Sequence, residues 1–103
     1  MSAAAEARAG WVFLTNHAHV LLQVARHPDA TLREVAQRVG ITERAAHRIM
    51  ADLVADGYVT RTRVGRRNHY RIHAKRSLRH PETAGTEVGA LLDLLSSGND
   101  RRP

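Results

Sequence analysis

The sequence predicts an α+β fold, mainly helical: three helices, a β-hairpin and a last helix. Three observations predict it. Apolar residues recur at three- and four-residue spacing in three successive segments between residues 15 and 57, each opened by a capping residue and closed by a breaker. From Tyr58 onward, β-branched residues alternate with Thr and Arg up to a Gly. Beyond a basic stretch, helical spacing returns in Val88, Leu91, Leu92 and Leu95.

The elements follow in order. Trp11-Val12-Phe13-Leu14 is a short apolar run ahead of the first helix. Thr15 or Asn16 can cap that helix, since either side-chain oxygen accepts from a free backbone N–H. Ala18, Leu21, Leu22 and Ala25, widened by Val20 and Val24, form its stripe. It ends near His27, because Pro28 pushes the residue before it out of helical geometry. Thr31-Leu32-Arg33-Glu34 fits a capping box. It opens a short helix that buries Leu32, Val35, Ala36 and Val39 and stops at a left-handed Gly40. Thr42 caps the third helix, and Glu43 suits its positive N-terminus. Ala46, Ile49, Met50 and Leu53 face inward, and Gly57 closes it.

Tyr58–Val64 and His69–His73 are expected to be the two hairpin strands, with Gly65-Arg66-Arg67-Asn68 as the loop. Tyr58, Val59, Val64, Tyr70 and Ile72 are the anchors to the core. Lys75 to Pro81 is a basic linker. The last helix starts between Glu82 and Thr86, and the tail from Ser96 is expected to fray.

At 103 residues the chain is one domain's worth, and no separate effector domain is expected in it. Residues 1–10 are Ala-rich without a signal-peptide core and read as a disordered lead-in. Residues 11–80 form the main unit, 81–96 a C-terminal helix and 97–103 a disordered tail. The absence of Cys excludes a disulfide scaffold, a thiolate metal site and a Cys nucleophile, and it fits a reducing compartment. No apolar run approaches the roughly 20 residues of a membrane span. A cytoplasmic chain with no membrane partner is expected.

The net charge of +6 is unevenly placed. Residues 57–80 carry eight cations and no acid, while 81–103 come to −2. The excess of Arg over Lys fits GC-rich coding as well as DNA binding. The informative feature is where the Arg residues fall.

Helix, three-residue turn with Gly, helix is the helix-turn-helix arrangement. With a basic hairpin behind it, the pattern is a winged helix-turn-helix. One helix fits the B-DNA major groove, about 12 Å wide, and its N-terminal half meets base edges. The outward residues there are Thr42, Glu43, Arg44, His47 and Arg48. Arg44 or Arg48 suits guanine, Glu43 a cytosine amino group, and His47 a base or a phosphate. The wing residues Arg61, Arg63, Gly65, Arg66, Arg67, Asn68 and Arg71 are candidates for the neighbouring backbone or a narrow minor groove.

The blocks "LREVAQRVGITERAAHRIMADLVADGYV" and "VGRRNHYRIH" resemble the winged helix of MarR and ArsR-like bacterial regulators. "WVFLTNHAHVLL" and "LRHP" before a Leu-rich helix resemble small stand-alone regulators of actinobacteria. The resemblance spans residues 11–95. It implies homodimeric, sequence-specific double-stranded DNA binding and usually repression. The recognition-helix role falls on Thr42–Arg48 and the wing role on Arg61–Arg71. The chain is shorter than full MarR proteins and lacks the Cys ligands of metal-sensing ArsR proteins, and the resemblance specifies no small-molecule effector.

Each feature has a plainer reading. A winged helix can serve protein contacts alone; the acid-free cationic segment favours DNA. Apolar residues at the chain ends can belong to the monomer core. Trp11, Phe13, Val88, Leu91, Leu92 and Leu95 exceed what a minimal core needs, and surplus apolar surface marks an interface. A symmetric dimer built from both ends is expected. The seven His suggest metal sensing. However, His17 and His19 sit about 200° apart on a helix, and Arg71 separates His69 from His73 on a strand face. No metal site and no cofactor are expected. Asp52 and Asp56 are expected to be solvated or paired with Arg48. No nucleophile–base pair or phosphate loop is present, so no enzyme is expected. The expected function is a regulator, with two rivals: a nucleoid-associated architectural protein of low specificity, or a protein-interaction adaptor. The regulator too would act on the nucleoid.

Overall fold

The structure, a computed structural model, describes residues 10–100, the side chains of 97–100 excepted. Helix α1 (Asn16–Arg26) starts at Thr15, whose hydroxyl accepts from Ala18 N–H at 3.2 Å. It stops one residue before His27, ahead of Pro28, as the proline requires. Its fully buried positions are Val20 and Val24, flanked by Leu21 and Leu22, whereas Ala25 is exposed. The β-branched pair, and not the alanines, therefore centres the apolar face.

Helix α2 (Leu32–Val39) opens with the complete capping box. Thr31 Oγ1 accepts from Glu34 N–H at 3.1 Å, and Glu34 Oε1 accepts from Thr31 N–H at 2.8 Å. The Thr31 hydroxyl also donates to Glu34 Oε1 at 3.2 Å, and the backbone N–H bond first and this hydroxyl bond second hold the Glu34 carboxyl below its ordinary pKa. Gly40 ends α2 at φ 87°. Helix α3 (Glu43–Ala55) begins at Thr42, whose hydroxyl accepts from Ala45 N–H at 3.0 Å. It buries Ala46, Ile49, Met50 and Leu53, which meet Val20, Val24 and Val35 in one core.

Strands β1 (Val59–Val64) and β2 (Arg67–Ile72) form an antiparallel hairpin, with Val64 opposite Arg67. The turn is thus only Gly65-Arg66, shorter than the expected four-residue loop. Gly65 sits at φ 61°, and a positive φ at the first turn residue suits the twist of a two-residue hairpin. Arg67 and Asn68 therefore belong to β2. Only the base of the hairpin is anchored: Tyr58, Val59 and Tyr70 are buried. Val64 was an expected anchor but is 63% exposed, because it lies at the far end of the strand from the core.

The last helix, α4 (Val88–Asp100), starts later than expected. A single 3-10 turn occupies Pro81–Thr83, and residues 86–89 are then tied to the preceding linker. Leu78 N–H donates to Thr86 O at 3.0 Å, Val88 N–H to Arg76 O at 2.8 Å, and Gly89 N–H to Ala74 O at 2.8 Å. A backbone paired this way is extended through Glu87, so helical geometry begins only beyond it. A Cβ at position 89 would lie 2.7 Å from Ala74 Cβ and 2.8 Å from its carbonyl oxygen. Glycine is what lets the linker lie against the helix.

Residues 97–100, placed in the expected disordered tail, continue α4. Ser and Asn weaken a helix but do not forbid it. Apart from Gly10, the expected lead-in lies outside the described residues, as does 101–103.

Candidate nucleic-acid interface

Burial of one face of α3 determines what its other face presents. With Ala46, Ile49 and Met50 inward, Thr42, Glu43, Arg44, His47 and Arg48 are all exposed. The structure thus places the five expected recognition residues on one accessible surface. Arg44 and Arg48 make no ion pair among the described residues. The carboxylates of the helix are engaged elsewhere. Asp52 lies 2.8 Å from His17 on α1, and Asp56 lies 3.4 Å from Arg79 in the linker. Neither pairs with Arg48, one of the two outcomes expected from the sequence; their partners are tertiary neighbours instead.

The wing residues are brought to one arm but not to one face. Directly paired strand residues share a side of the sheet. Arg61 pairs with Tyr70 and Arg63 with Asn68, so these cations share the side of the buried Tyr70. Arg67 and Arg71 pair with Val64 and Thr60 and lie on the opposite side. Arg66 sits in the turn, at the tip. None of the five Arg forms an ion pair among the described residues, and all are exposed. Arg63 Nε reaches only the Gly65 carbonyl, at 3.4 Å.

The base of the arm is pinned to the turn between α1 and α2. Tyr70 N–H donates to Pro28 O at 3.3 Å, and His69 Nδ1 lies 2.8 Å from Asp29 Oδ1. On the other side, Tyr58 OH donates to the Ser77 carbonyl. The Arg76 guanidinium lies 5.8 Å from the centre of the Tyr58 ring. The arm is thus fixed at its root and free at its tip. Nothing in the sequence spacing marked Asp29 for this role, since the contact joins residues 40 apart.

Between the arm and the helix-turn-helix runs a cleft of about 390 Å³. Arg33 and Thr31 from the start of α2, Glu43 and His47 from α3, and Arg66, Arg67 and Asn68 from the wing line it. Arg33 was not among the expected site residues. It stands near Glu43 only because the turn at Gly40 folds the two helix starts together.

The expected dimerisation residues divide. Trp11 and Phe13 are 70% and 90% exposed, stacked edge to face with ring centres 4.9 Å apart. Leu91 and Leu95 are half-buried. Val88 and Leu92 are not surplus: they are buried in the chain's own core, packed with residues of α1 and α3. The first turns of α4 close the monomer, so those two are corrected to core positions. Leu94, missed by the spacing argument, is 70% exposed. An apolar cleft of about 350 Å³ lies between α1, α3 and α4, with Leu21, Leu53, Leu91 and Leu95 in its walls. Among the described residues no cluster of three metal-ligating side chains occurs, and no helix is long and apolar enough to cross a membrane.

Comparison with known proteins bears on this arrangement. The PcaV transcriptional regulator of Streptomyces coelicolor, solved in complex with its natural ligand, has a similar fold. Its TM-score is 0.51 at 18% sequence identity, over 82% of this chain and 62% of that one. The chain therefore spans a little under two thirds of that regulator. No curated protein matches it. A family model described as "MarR family" matches residues 13–67, which run from Phe13 through the helix-turn-helix to the wing tip. The chain belongs to the MarR family.

Proposed function

We propose that this chain is a sequence-specific, double-stranded DNA-binding transcriptional regulator, a repressor, acting as a homodimer in the cytoplasm on a pseudo-palindromic operator. One observation carries the reading. The exposed face Thr42–Arg48, with Arg44 and Arg48 unpaired among the described residues, stands beside an arm with five exposed Arg and no acid. A helix of this kind reads base edges, and a cationic arm supplies phosphate contacts. Family membership supports the same reading.

Dimerisation rests on the exposed Trp11, Phe13 and Leu94 with the half-buried Leu91 and Leu95. Two recognition helices related by a two-fold axis would meet half-sites one helical turn apart. Genome-wide binding followed by footprinting at the strongest site tests the whole reading. A symmetric footprint with half-sites about 10 base pairs apart is expected. A uniform coat without preferred sites overturns it in favour of an architectural protein. No binding to any duplex at low salt overturns it in favour of an adaptor. Light scattering showing only monomer at micromolar concentration removes the dimer.

A second reading adds a small-molecule effector. The apolar cleft between α1, α3 and α4 supports it, having the volume of an ordinary ligand site. A ligand that both raises the unfolding temperature and changes DNA affinity is the expected result. A chemically broad panel containing none overturns it.

A further inference from the structure

The cleft between wing and helices holds two carboxylates among its cations. Asp29 is occupied by His69, at the root of the arm. Glu43 is different. It is the first residue of α3, on the face proposed to enter the major groove, and its oxygens meet the Arg33 guanidinium and the His47 imidazole of that cleft. Oε1 lies 3.5 Å from Arg33 Nε, and Oε2 lies 3.6 Å from His47 Nε2. All three side chains are exposed. Pairs of this kind are weak in water and exchange partners readily.

A carboxylate in this place has opposite effects on two kinds of duplex. On a duplex with no donor beside it, Glu43 keeps Arg33 engaged and presents a negative charge to the phosphates. Where a base edge offers an amino donor, such as cytosine N4, the carboxylate accepts from it and releases Arg33 to a phosphate. We propose that Glu43 is a specificity gate: it withholds Arg33 from non-cognate DNA and yields it at the cognate site. The inference rests on the DNA-binding reading and adds a mechanism of discrimination to it. Discrimination arises here from a penalty on the wrong partner as much as from a gain on the right one.

The test is a two-by-two set: the unmodified chain, Glu43→Gln, Arg33→Ala and both together. Each is titrated by fluorescence anisotropy against a random duplex and against the strongest footprinted duplex, across a salt series. Glu43→Gln is expected to tighten random-duplex binding about tenfold near 0.1 M salt. It should also steepen the log K against log salt slope by about 0.9, one further phosphate neutralised. On the footprinted duplex it should gain nothing, so the specificity ratio falls about tenfold. Arg33→Ala should weaken the footprinted complex, leave the random complex within about twofold, and remove most of the gain when combined with Glu43→Gln. A merely structural role of Arg33 gives the same loss in both backgrounds, and that result overturns the gate. An unchanged slope in Glu43→Gln also overturns it. Failure of the unmodified chain to bind any duplex at low salt overturns the DNA-binding reading itself, and the gate with it. Circular dichroism on all four proteins verifies that folding is common to them.

Discussion

Helix α3 and the wing carry the same kind of side chain on opposite kinds of support. The helix is held along its length by four buried residues, and its outward side chains follow from that burial. The wing is held only at its root, by Val59, Tyr70 and the Pro28 and Asp29 contacts. The carboxylates of α3 each meet a His or Arg of a different element, whereas the wing Arg form no ion pair among the described residues. Reading base edges requires side chains placed to within a hydrogen bond, so it needs a rigid mount. Meeting phosphates requires charge and reach, so a free arm serves. On the DNA-binding reading proposed above, the two regions divide recognition from attraction.

That division can be broken from either side. The largest effect belongs to the mount. Met50→Ala empties a fully buried position under α3 and should cost about 2–5 kcal/mol of stability, measured by chemical denaturation. Val64→Ala, at the wing tip, should stay within about 0.5 kcal/mol. Similar losses at the two positions would show the wing to be as tightly held as the helix.

Removing the arm's charge comes next. Arg66→Ala with Arg67→Ala should weaken all duplexes alike, on the order of 50-fold near 0.1 M salt for two phosphate contacts. The salt slope should flatten by about 1.8. A loss confined to A·T-rich flanks would instead place these Arg in a minor groove. Arg44→Ala or Arg48→Ala should cost about 1–3 kcal/mol at the preferred site and relax its sequence, with little change on random DNA. A footprint unchanged by both would remove α3 from the recognition role.

The smallest effect concerns the cap of α2. Thr31→Ala should cost about 1 kcal/mol. The Glu34 carboxyl has its folded pKa depressed by the Thr31 bonds, so its contribution is present above the unfolded value and lost as pH falls through the folded one. Glu34→Gln should therefore narrow the stability difference between neutral and acid pH. An unchanged acid limb would show that the cap acts through Thr31 alone.

Much of this molecule was written locally. The Thr15, Thr31 and Thr42 caps, the Gly40 stop and the switch to strand at Tyr58 each depend on residues within one turn of one another. They are therefore visible as short patterns, and the exposed face of α3 follows from helical geometry once its buried stripe is known. Contacts between distant residues leave no such pattern. Asp29 with His69, Asp52 with His17 and Arg33 with Glu43 exist only because the helices and the arm come together. The register that splits Arg61 and Arg63 from Arg67 and Arg71 depends on a two-residue turn that the four-residue loop concealed. The burial of Val88 and Leu92 likewise depends on the hydrogen bonds that draw residues 86–89 onto the linker. Sequence by itself determined the elements, their caps and the sign of the charge on the arm, because propensity, capping and composition are local. Tertiary structure alone decided which charges are already partnered, which side of the arm each Arg takes and which apolar residues stay exposed. Those outcomes depend on distances through space that no spacing along the chain encodes.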